Sequence, residues 1–493
     1  MKQKTKKFII LHSNDMHGDF LAEVREGDGH LIGGLALLSG YLNKVRKEEE
    51  NVIYVIAGDM VQGSLIDSEY KGVSTIEIMN FLSPDVVTLG NHELDYGLPH
   101  LLFLEKMANF PIVNANLYIK QYGKRLMRPY LIMTVAGYNI LFIGVTTEKV
   151  MDTLAGDQLI GTFVSIEDAA AEIGKICNAY KHDDIDLTVA VTHIGFESDV
   201  ELAEMLNPDW GVDMILGGHS HTILEQPAVV NNILIAQAGV GTDQIGRFDI
   251  VVEDATNSII SWKWELVPIN NTTSEEDLSL KKFIHEYKKK VDAKYNSIIT
   301  RFSDKLLHPE REKETTLGNM IADVLADTSE TEIILIGSGT IRGSELGPVV
   351  TLGDLKACYP YNDSLTRYCI NGENLKRVFS HIMRTENRNG EGECFQVNSR
   401  VKAVYSDIES KLLSLNVDGL PVADDERYTI TLQGYHFNNS KANLNISGEE
   451  LVALGNPKVV ATSESGVLEE WLRHHPNVTS KIEGRLVFVP EHL

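Results

Sequence analysis

Residues 8–17, Phe8-Ile9-Ile10-Leu11-His12-Ser13-Asn14-Asp15-Met16-His17, place four apolar residues in unbroken succession before a polar turn that carries an aspartate and a histidine two apart. An apolar run without alternation is the pattern of a strand covered on both faces, as in a sheet with packing on each side. The same hand-over recurs along the chain. VIYVIA (52–57) precedes Gly58-Asp59, VVTL (86–89) precedes Gly90-Asn91-His92-Glu93, LTVAV (187–191) precedes Thr192-His193, and VDMIL (212–216) precedes Gly217-Gly218-His219-Ser220-His221. Helical patterns from Gly34 to Glu49 and near Ser74 to Phe81 lie between such runs, so the chain to about Pro268 reads as an α/β layered domain with helices outside its sheets.

Groups that bind ligands in α/β sheets gather beyond the carboxyl ends of the strands, so five strand ends can converge on one crevice. Asp15 and His17, and likewise His219 and His221, alternate so that an extended segment would present both side chains on one side. Carboxylate, imidazole and amide oxygen together suit Mn, Fe, Co, Zn or Ni, and the absence of cysteine from these groups argues against a structural zinc knot. Gly58, Gly90, Gly217 and Gly218 let the backbone turn sharply and keep bulk away from the crevice.

The whole chain has 493 residues, 43% hydrophobic and 23% charged, the balance of an ordinary globular protein with two domains. Its 45 basic against 70 acidic residues leave a net charge of −25, which argues against a broad surface for nucleic acid or anionic membrane. An anionic substrate is compatible with that field only where bound cations reverse it locally. Cys177, Cys358, Cys369 and Cys394 are scattered without paired spacing and read as reduced thiols. The basic start of the chain is followed by an apolar run of only Phe8 to Leu11, shorter than a signal peptide core, and no stretch is long enough to span a bilayer. The expectation is a soluble, cytoplasmic protein.

Composition changes after Pro268, where a polar Asn/Thr/Ser/Glu segment leads into a charged helical pattern from about Leu278 to Tyr295, with Ser274 as its expected cap. The domains are therefore drawn as 1–270, a linker and connecting helix over 271–299, and a second α+β domain over 300–493. That second region has helices around Thr316 to Ala326 and Asn374 to Met383, and strands at IILIG (333–337) and YTITL (428–432).

The ordered set DxH, GD, GNHE, a lone histidine and GHxH resembles the signature of the calcineurin-like metallophosphoesterases. GNHELDYG (90–97) and GGHSH (217–221), followed by a second domain, resemble the 5'-nucleotidase and UDP-sugar hydrolase branch. The resemblance implies a four-layer α/β/β/α sandwich joined by a helix to a C-terminal α+β substrate-binding domain. It implies two divalent cations (Mn, Zn, Fe or Co), the first held by Asp15, His17, Asp59 and His221, the second by Asp59, Asn91, His193 and His219, with Asp59 shared. It further implies that His92 faces the phosphate without ligating metal. Asp95, three residues on, is placed to accept a hydrogen bond from the His92 imidazole.

In the second domain Ile336-Gly337-Ser338-Gly339-Thr340-Ile341-Arg342-Gly343 resembles the family's glycine-rich segment, which makes Arg342 the candidate for a bidentate phosphate contact. Ser338 stands where the family has Asn, and Asn319 where some relatives have Arg, a role that Arg311 could share. Tyr359-Pro360-Tyr361-Asn362-Asp363 resembles a loop whose aromatic, here Tyr361, stacks on the base. The second ring is expected from Gln433-Gly434-Tyr435-His436-Phe437, as Phe437 or, alternatively, Tyr435. The implied function is a 5'-nucleotidase that releases phosphate from nucleoside monophosphates by in-line attack of water, and that also cleaves UDP-sugar or nucleotide pyrophosphate bonds. The alternatives are a cyclic-nucleotide phosphodiesterase or a non-nucleotide phosphatase of the same superfamily. A non-catalytic metal-binding protein would not need His92 and Asp95, and a nuclease on long DNA would need a basic track that −25 does not supply.

Overall fold

A computed structural model of the protein describes residues 4–25, 29–119, 122–147, 165–388 and 394–489. The chain divides into two compact units, Met1–Val291 and Asp292–Leu493, and the division falls within the helix Leu278–Tyr295.

The first unit has two six-stranded sheets. In chain order the strands of these two sheets are β1 (Thr5–Ser13), β2 (Val52–Ala57), β3 (Val86–Thr88), β4 (Ile112–Val113), β5 (Tyr130–Val135), β6 (Tyr138–Thr146), β7 (Leu187–His193), β8 (Met214–Leu216), β9 (Ala228–Val230), β10 (Ile233–Ala236), β11 (Gln244–Glu253) and β12 (Ser258–Pro268). One sheet runs β12-β11-β1-β2-β3-β4 and the other β9-β10-β8-β7-β6-β5. β1 through β4 pair in parallel, as do β6, β7, β8 and β10, so within each sheet the motif-bearing strands end on the same edge.

The unbroken apolar runs are explained by packing on both faces. Phe8, Ile10, Val55, Phe142, Val189 and Leu216 fill the space between the sheets. The alternate residues Leu141, Ile143, Ala190 and Ile215 point the other way, into a core shared with helices Ile166–Ala179 and Phe196–Met205. On the outer face of the first sheet Ile9, Leu11, Tyr54 and Ile56 are buried, while helices Leu35–Glu48 and Val73–Leu82 bury Leu38, Leu42, Ile76 and Met79. Each such side chain contributes about 1.5–3 kcal/mol by leaving water. The layers are therefore α/β/β/α.

The expected cap of the connecting helix is corrected by the structure. Asp277, not Ser274, caps it: its Oδ1 accepts from the backbone N–H groups of Ser279 (3.0 Å) and Leu280 (3.1 Å). Ser274 is buried and its hydroxyl donates to the Leu37 carbonyl (2.8 Å), so it ties the linker to the first unit instead.

The second unit is built on a five-stranded sheet of β13 (Ile333–Gly337), β14 (Leu365–Asn371), β15 (Phe395–Val397), β16 (Arg427–Gln433) and β17 (Lys458–Ala461), ordered β15-β13-β16-β14-β17. Ile333, Leu335 and Ile430 pack on one face with helix Gly372–Ile382; Ile334, Ile336 and Leu365 pack on the other with helices Thr316–Ser329 and Glu464–His474. No helix among the described residues is long and apolar enough to cross a membrane.

Candidate metal centre

Five of the expected ligands do not come from extended backbone, contrary to the expectation for the two alternating pairs, whereas His193 is the last residue of β7. Asp15, His17, Asp59, His219 and His221 have φ of 50°, 47°, 52°, 84° and 53°, in the left-handed region. Such a conformation costs a non-glycine residue on the order of 1–3 kcal/mol and persists only where its surroundings impose it. Here the loop after β1 is laced to the loop after β2: Asp15 N–H donates to Gly58 O (3.1 Å), His17 N–H to Asp59 O (3.0 Å) and Gly18 N–H to Met60 O (2.9 Å). Gly58, at φ +78°, has no room for a side chain, since a Cβ would stand 2.7 Å from His193 Nδ1.

Two groups of ligand-type atoms result. Asp15, His17 and His221 bring one atom each within 4.8 Å of one another, and so do Asp59, His193 and His219. Within the first, His221 Nε2 lies 3.4 Å from Asp15 Oδ1 and 3.1 Å from His17 Nε2. Within the second, His193 Nε2 lies 3.0 Å from Asp59 Oδ2. Asp59 also groups with His17 and His92, so it stands between the two sets.

The donor set fits a pair of divalent cations. Among the described residues the buried Asn91 Oδ1 has no hydrogen-bond partner, and an orphaned polar atom in that setting calls for a ligand. His193 Nδ1 hydrogen-bonds the Ala57 carbonyl (2.8 Å) and His17 Nδ1 the Gln62 carbonyl (3.1 Å). Those contacts put the ring protons on Nδ1 and leave each Nε2 lone pair for metal. Asp15 is wholly buried, and both its oxygens accept from His219 N–H (3.1 and 2.8 Å) while Asn14 Nδ2 donates to Oδ2 (2.7 Å).

His92 Nδ1 is 2.7 Å from Asp95 Oδ2, the contact expected from their spacing, and Gln62 Nε2 donates to the same oxygen (3.1 Å). The hydrogen bond to Asp95 raises the imidazole above its ordinary pKa. The backbone N–H of His92 donates to Asp59 Oδ1 (2.9 Å).

One residue of the GNHE motif has a role that its sequence position did not reveal. Glu93 is buried, and its carboxylate accepts from the N–H groups of Asp59 (3.0 Å), Met60 (2.7 Å), Val61 (3.4 Å) and Gly90 (2.6 Å). It clamps the loop carrying Asp59 to the loop carrying Asn91. Burial, with the Asp59 carboxylate nearby, pushes its pKa up to about 7.

In the second unit a cavity of about 550 Å³ is lined by Arg311, Arg342, Tyr361, Tyr435, His436 and Glu464, among others. Arg342 hydrogen-bonds the Tyr361 hydroxyl through Nε (3.0 Å) and lies over its ring, 5.2 Å from the centroid. Phe437 does not line the cavity. It stacks on Tyr368 (centroids 5.0 Å, planes at 11°) against the core, and the ring offered at this position is Tyr435, which is 61% exposed. The physical reason is helical: β16 passes at Gln433 into the helix Gly434–Asn438, where residues two apart face different directions. Ser338 is buried and its hydroxyl accepts from Gln396 (2.7 Å); Asn319 is buried and donates to Glu314 (2.6 Å) and the Lys481 carbonyl (2.9 Å). Neither lines the cavity, whereas Arg311 does.

Comparison with known proteins agrees with this architecture. Residues 8–222 match the family described as calcineurin-like phosphoesterase, and residues 297–445 match the 5'-nucleotidase C-terminal domain. Among relatives, the endonuclease YhcR of Bacillus subtilis is 27% identical over 75% of this chain, which spans only 32% of that protein's length. A 5'-nucleotidase of Vibrio parahaemolyticus is 26% identical, covering 96% of this chain and 90% of its own. The crystal structure of a 5'-nucleotidase precursor from Thermus thermophilus superposes with a TM-score of 0.60 at 23% identity, covering 99% of this chain and all of that one, and so has the same fold. Sheet order, ligand sets and both domain matches converge: the chain joins a calcineurin-like phosphoesterase domain to a 5'-nucleotidase C-terminal domain.

Proposed function

We propose that the protein hydrolyses phosphate esters of small nucleotides, as a 5'-nucleotidase that releases phosphate from nucleoside monophosphates. The observation that carries this reading is the position of Asp59 between two ligand groups, with the His92–Asp95 pair beside it. Asp15, His17, Asp59 and His221 would hold one divalent cation, and Asp59, Asn91, His193 and His219 the other. When bound, the cations supply Lewis-acid charge that draws in the anionic phosphate and lowers the pKa of water. Mn, Zn, Fe and Co all suit these ligands.

The chain's own side chains do the rest. With its Nδ1 proton held by Asp95, His92 offers Nε2 to the phosphate, where a second proton passes to the departing ester oxygen. In the second unit Arg342 suits a phosphate or carboxylate and the exposed rings of Tyr361 and Tyr435 suit a nucleobase. Arg342→Ala is expected to raise KM about 10–100-fold, the worth of a charged hydrogen bond, with little change in kcat. An unchanged KM would remove this cavity from the substrate site.

The defining experiment is release of phosphate or nucleotide from AMP, other nucleoside monophosphates, UDP-glucose and cyclic nucleotides, with Mn or Zn and with chelator. Activity that chelator abolishes is expected. Silence across the panel rejects the reading. A second reading, a cyclic-nucleotide phosphodiesterase or a non-nucleotide phosphatase, is favoured by the engaged Ser338 hydroxyl, which withholds a base contact from the cavity. The same panel decides between them. A relative named as an endonuclease makes DNA a further substrate to assay, although the net charge of −25 favours small molecules. A cytoplasmic site of action belongs to the proposal, supported by cysteines scattered without paired spacing, and cell fractionation tests it.

A further inference from the structure

Behind the loop that carries His219 and His221 runs a chain of polar side chains, two of which, Asp199 and Gln237, no recognised motif includes. Asp199, in the first turn of helix Phe196–Met205, and Gln237, just after β10, are both wholly buried. Thr192 Oγ1 donates to Asp199 Oδ1 (2.6 Å), and Gln237 Nε2 donates to Asp199 Oδ2 (2.9 Å) and to the Gly218 carbonyl (3.3 Å). The Ser220 hydroxyl donates to Gln237 Oε1 (2.9 Å) and accepts from the Phe196 N–H (2.9 Å). Thr192 immediately precedes His193, and Ser220 lies between His219 and His221. The packing leaves no slack, since a Cβ on Gly217 would stand 2.0 Å from Asp199 Oδ2.

Burying a carboxyl and an amide costs free energy unless their hydrogen bonds are made, and apolar residues would fill the same space without that demand. What this pair supplies is geometry. We infer that Asp199 and Gln237 are positioning residues for the metal centre: they tie the end of β7 to the loop after β8 and so hold His193, His219 and His221 at ligand separation. His219 and His221 both sit at positive φ, a backbone state that needs outside support, and the Gln237 contacts to Gly218 and Ser220 flank His219 on either side. Such outer partners tune ligands by fixing their orientation.

The inference rests on the proposed metal-dependent function, and its test reads metal affinity on the full chain, not turnover. Mn²⁺ binding is measured by titration calorimetry for wild type and for Asp199→Leu, Asp199→Asn and Ser220→Ala. Leucine keeps the branched shape and loses every hydrogen bond. Asparagine keeps both, with its oxygen toward Gln237 and its amide toward Thr192. We expect Asp199→Leu to bind about 10–100-fold more weakly, Ser220→Ala to weaken in the same direction, and Asp199→Asn to stay close to wild type. Wild-type affinity in both Asp199→Leu and Ser220→Ala, or equal losses in Asp199→Leu and Asp199→Asn, overturns the inference. Should Asp199→Leu fail to fold, the exposed Ser220 decides alone, and unchanged affinity in Ser220→Ala overturns it. A wild-type chain that binds no Mn²⁺ counts instead against the functional reading beneath it.

Discussion

Asp59→Asn should reduce kcat/KM by at least about 1,000-fold, roughly 4 kcal/mol of transition-state stabilisation. Asp59 groups with His17 of the first set, and its Oδ2 stands 3.0 Å from His193 Nε2 of the second, so one anionic group would serve both ligand sets. The asparagine keeps the shape but removes the charge that lets two cations approach each other, and its amide turns a donor toward a site built of acceptors. Elemental analysis of the variant should find less than the wild-type metal content, with the thermal transition still cooperative. A variant that keeps full metal and near-normal turnover would mean that Asp59 does not bridge.

His92→Asn is expected to behave differently. Its loss should lower kcat by about 100- to 10,000-fold, the usual range for a positioned acid or base, while metal content stays at the wild-type level. The distinction follows from the structure. His92 Nδ1 is committed to Asp95, whereas the Nδ1 contacts of His17 and His193 go to backbone carbonyls, the arrangement of rings oriented for metal. His92 does come within 4.8 Å of His17 and Asp59 in its ligand atoms, so geometry alone leaves the comparison worth making. A parallel fall in bound metal would reassign His92 as a ligand.

Much of this was legible in the chain. Phe8 to Leu11 and the runs before Asp59, Asn91, His193 and His219 announce strands buried on both faces, because only residues packed on each side can be apolar without alternation. The Asp95 contact with His92 could be read from a spacing of three, since both groups belong to one short turn. Other features could not be read that way. Whether Tyr435 or Phe437 reaches the cavity depends on the residue at which β16 becomes helix, and the aromatic pattern is the same for either choice.

Backbone strain at Asp15, His17, Asp59, His219 and His221 was equally hidden, for the sequence there reads as strand continuing into turn. Glu93 was in plain view within GNHE, yet three of its four N–H donors come from Asp59, Met60 and Val61, more than thirty residues away. Asp199 and Gln237 carry no local signal at all, and their partners are set by the approach of β7, β8 and β10.

By itself the sequence determined which strands are buried, the order in which they present acid, imidazole and amide groups, and hence the family resemblance and the donor set a metal would meet. Those properties are local: they follow from hydrophobic runs and from residues a few positions apart. Only the tertiary structure decided how the ligands are held in left-handed backbone, which buried side chains clamp their loops, and which ring lines the second cavity. Each of those depends on hydrogen bonds and packing between segments distant in the chain, and no local pattern encodes a partner that arrives from another strand.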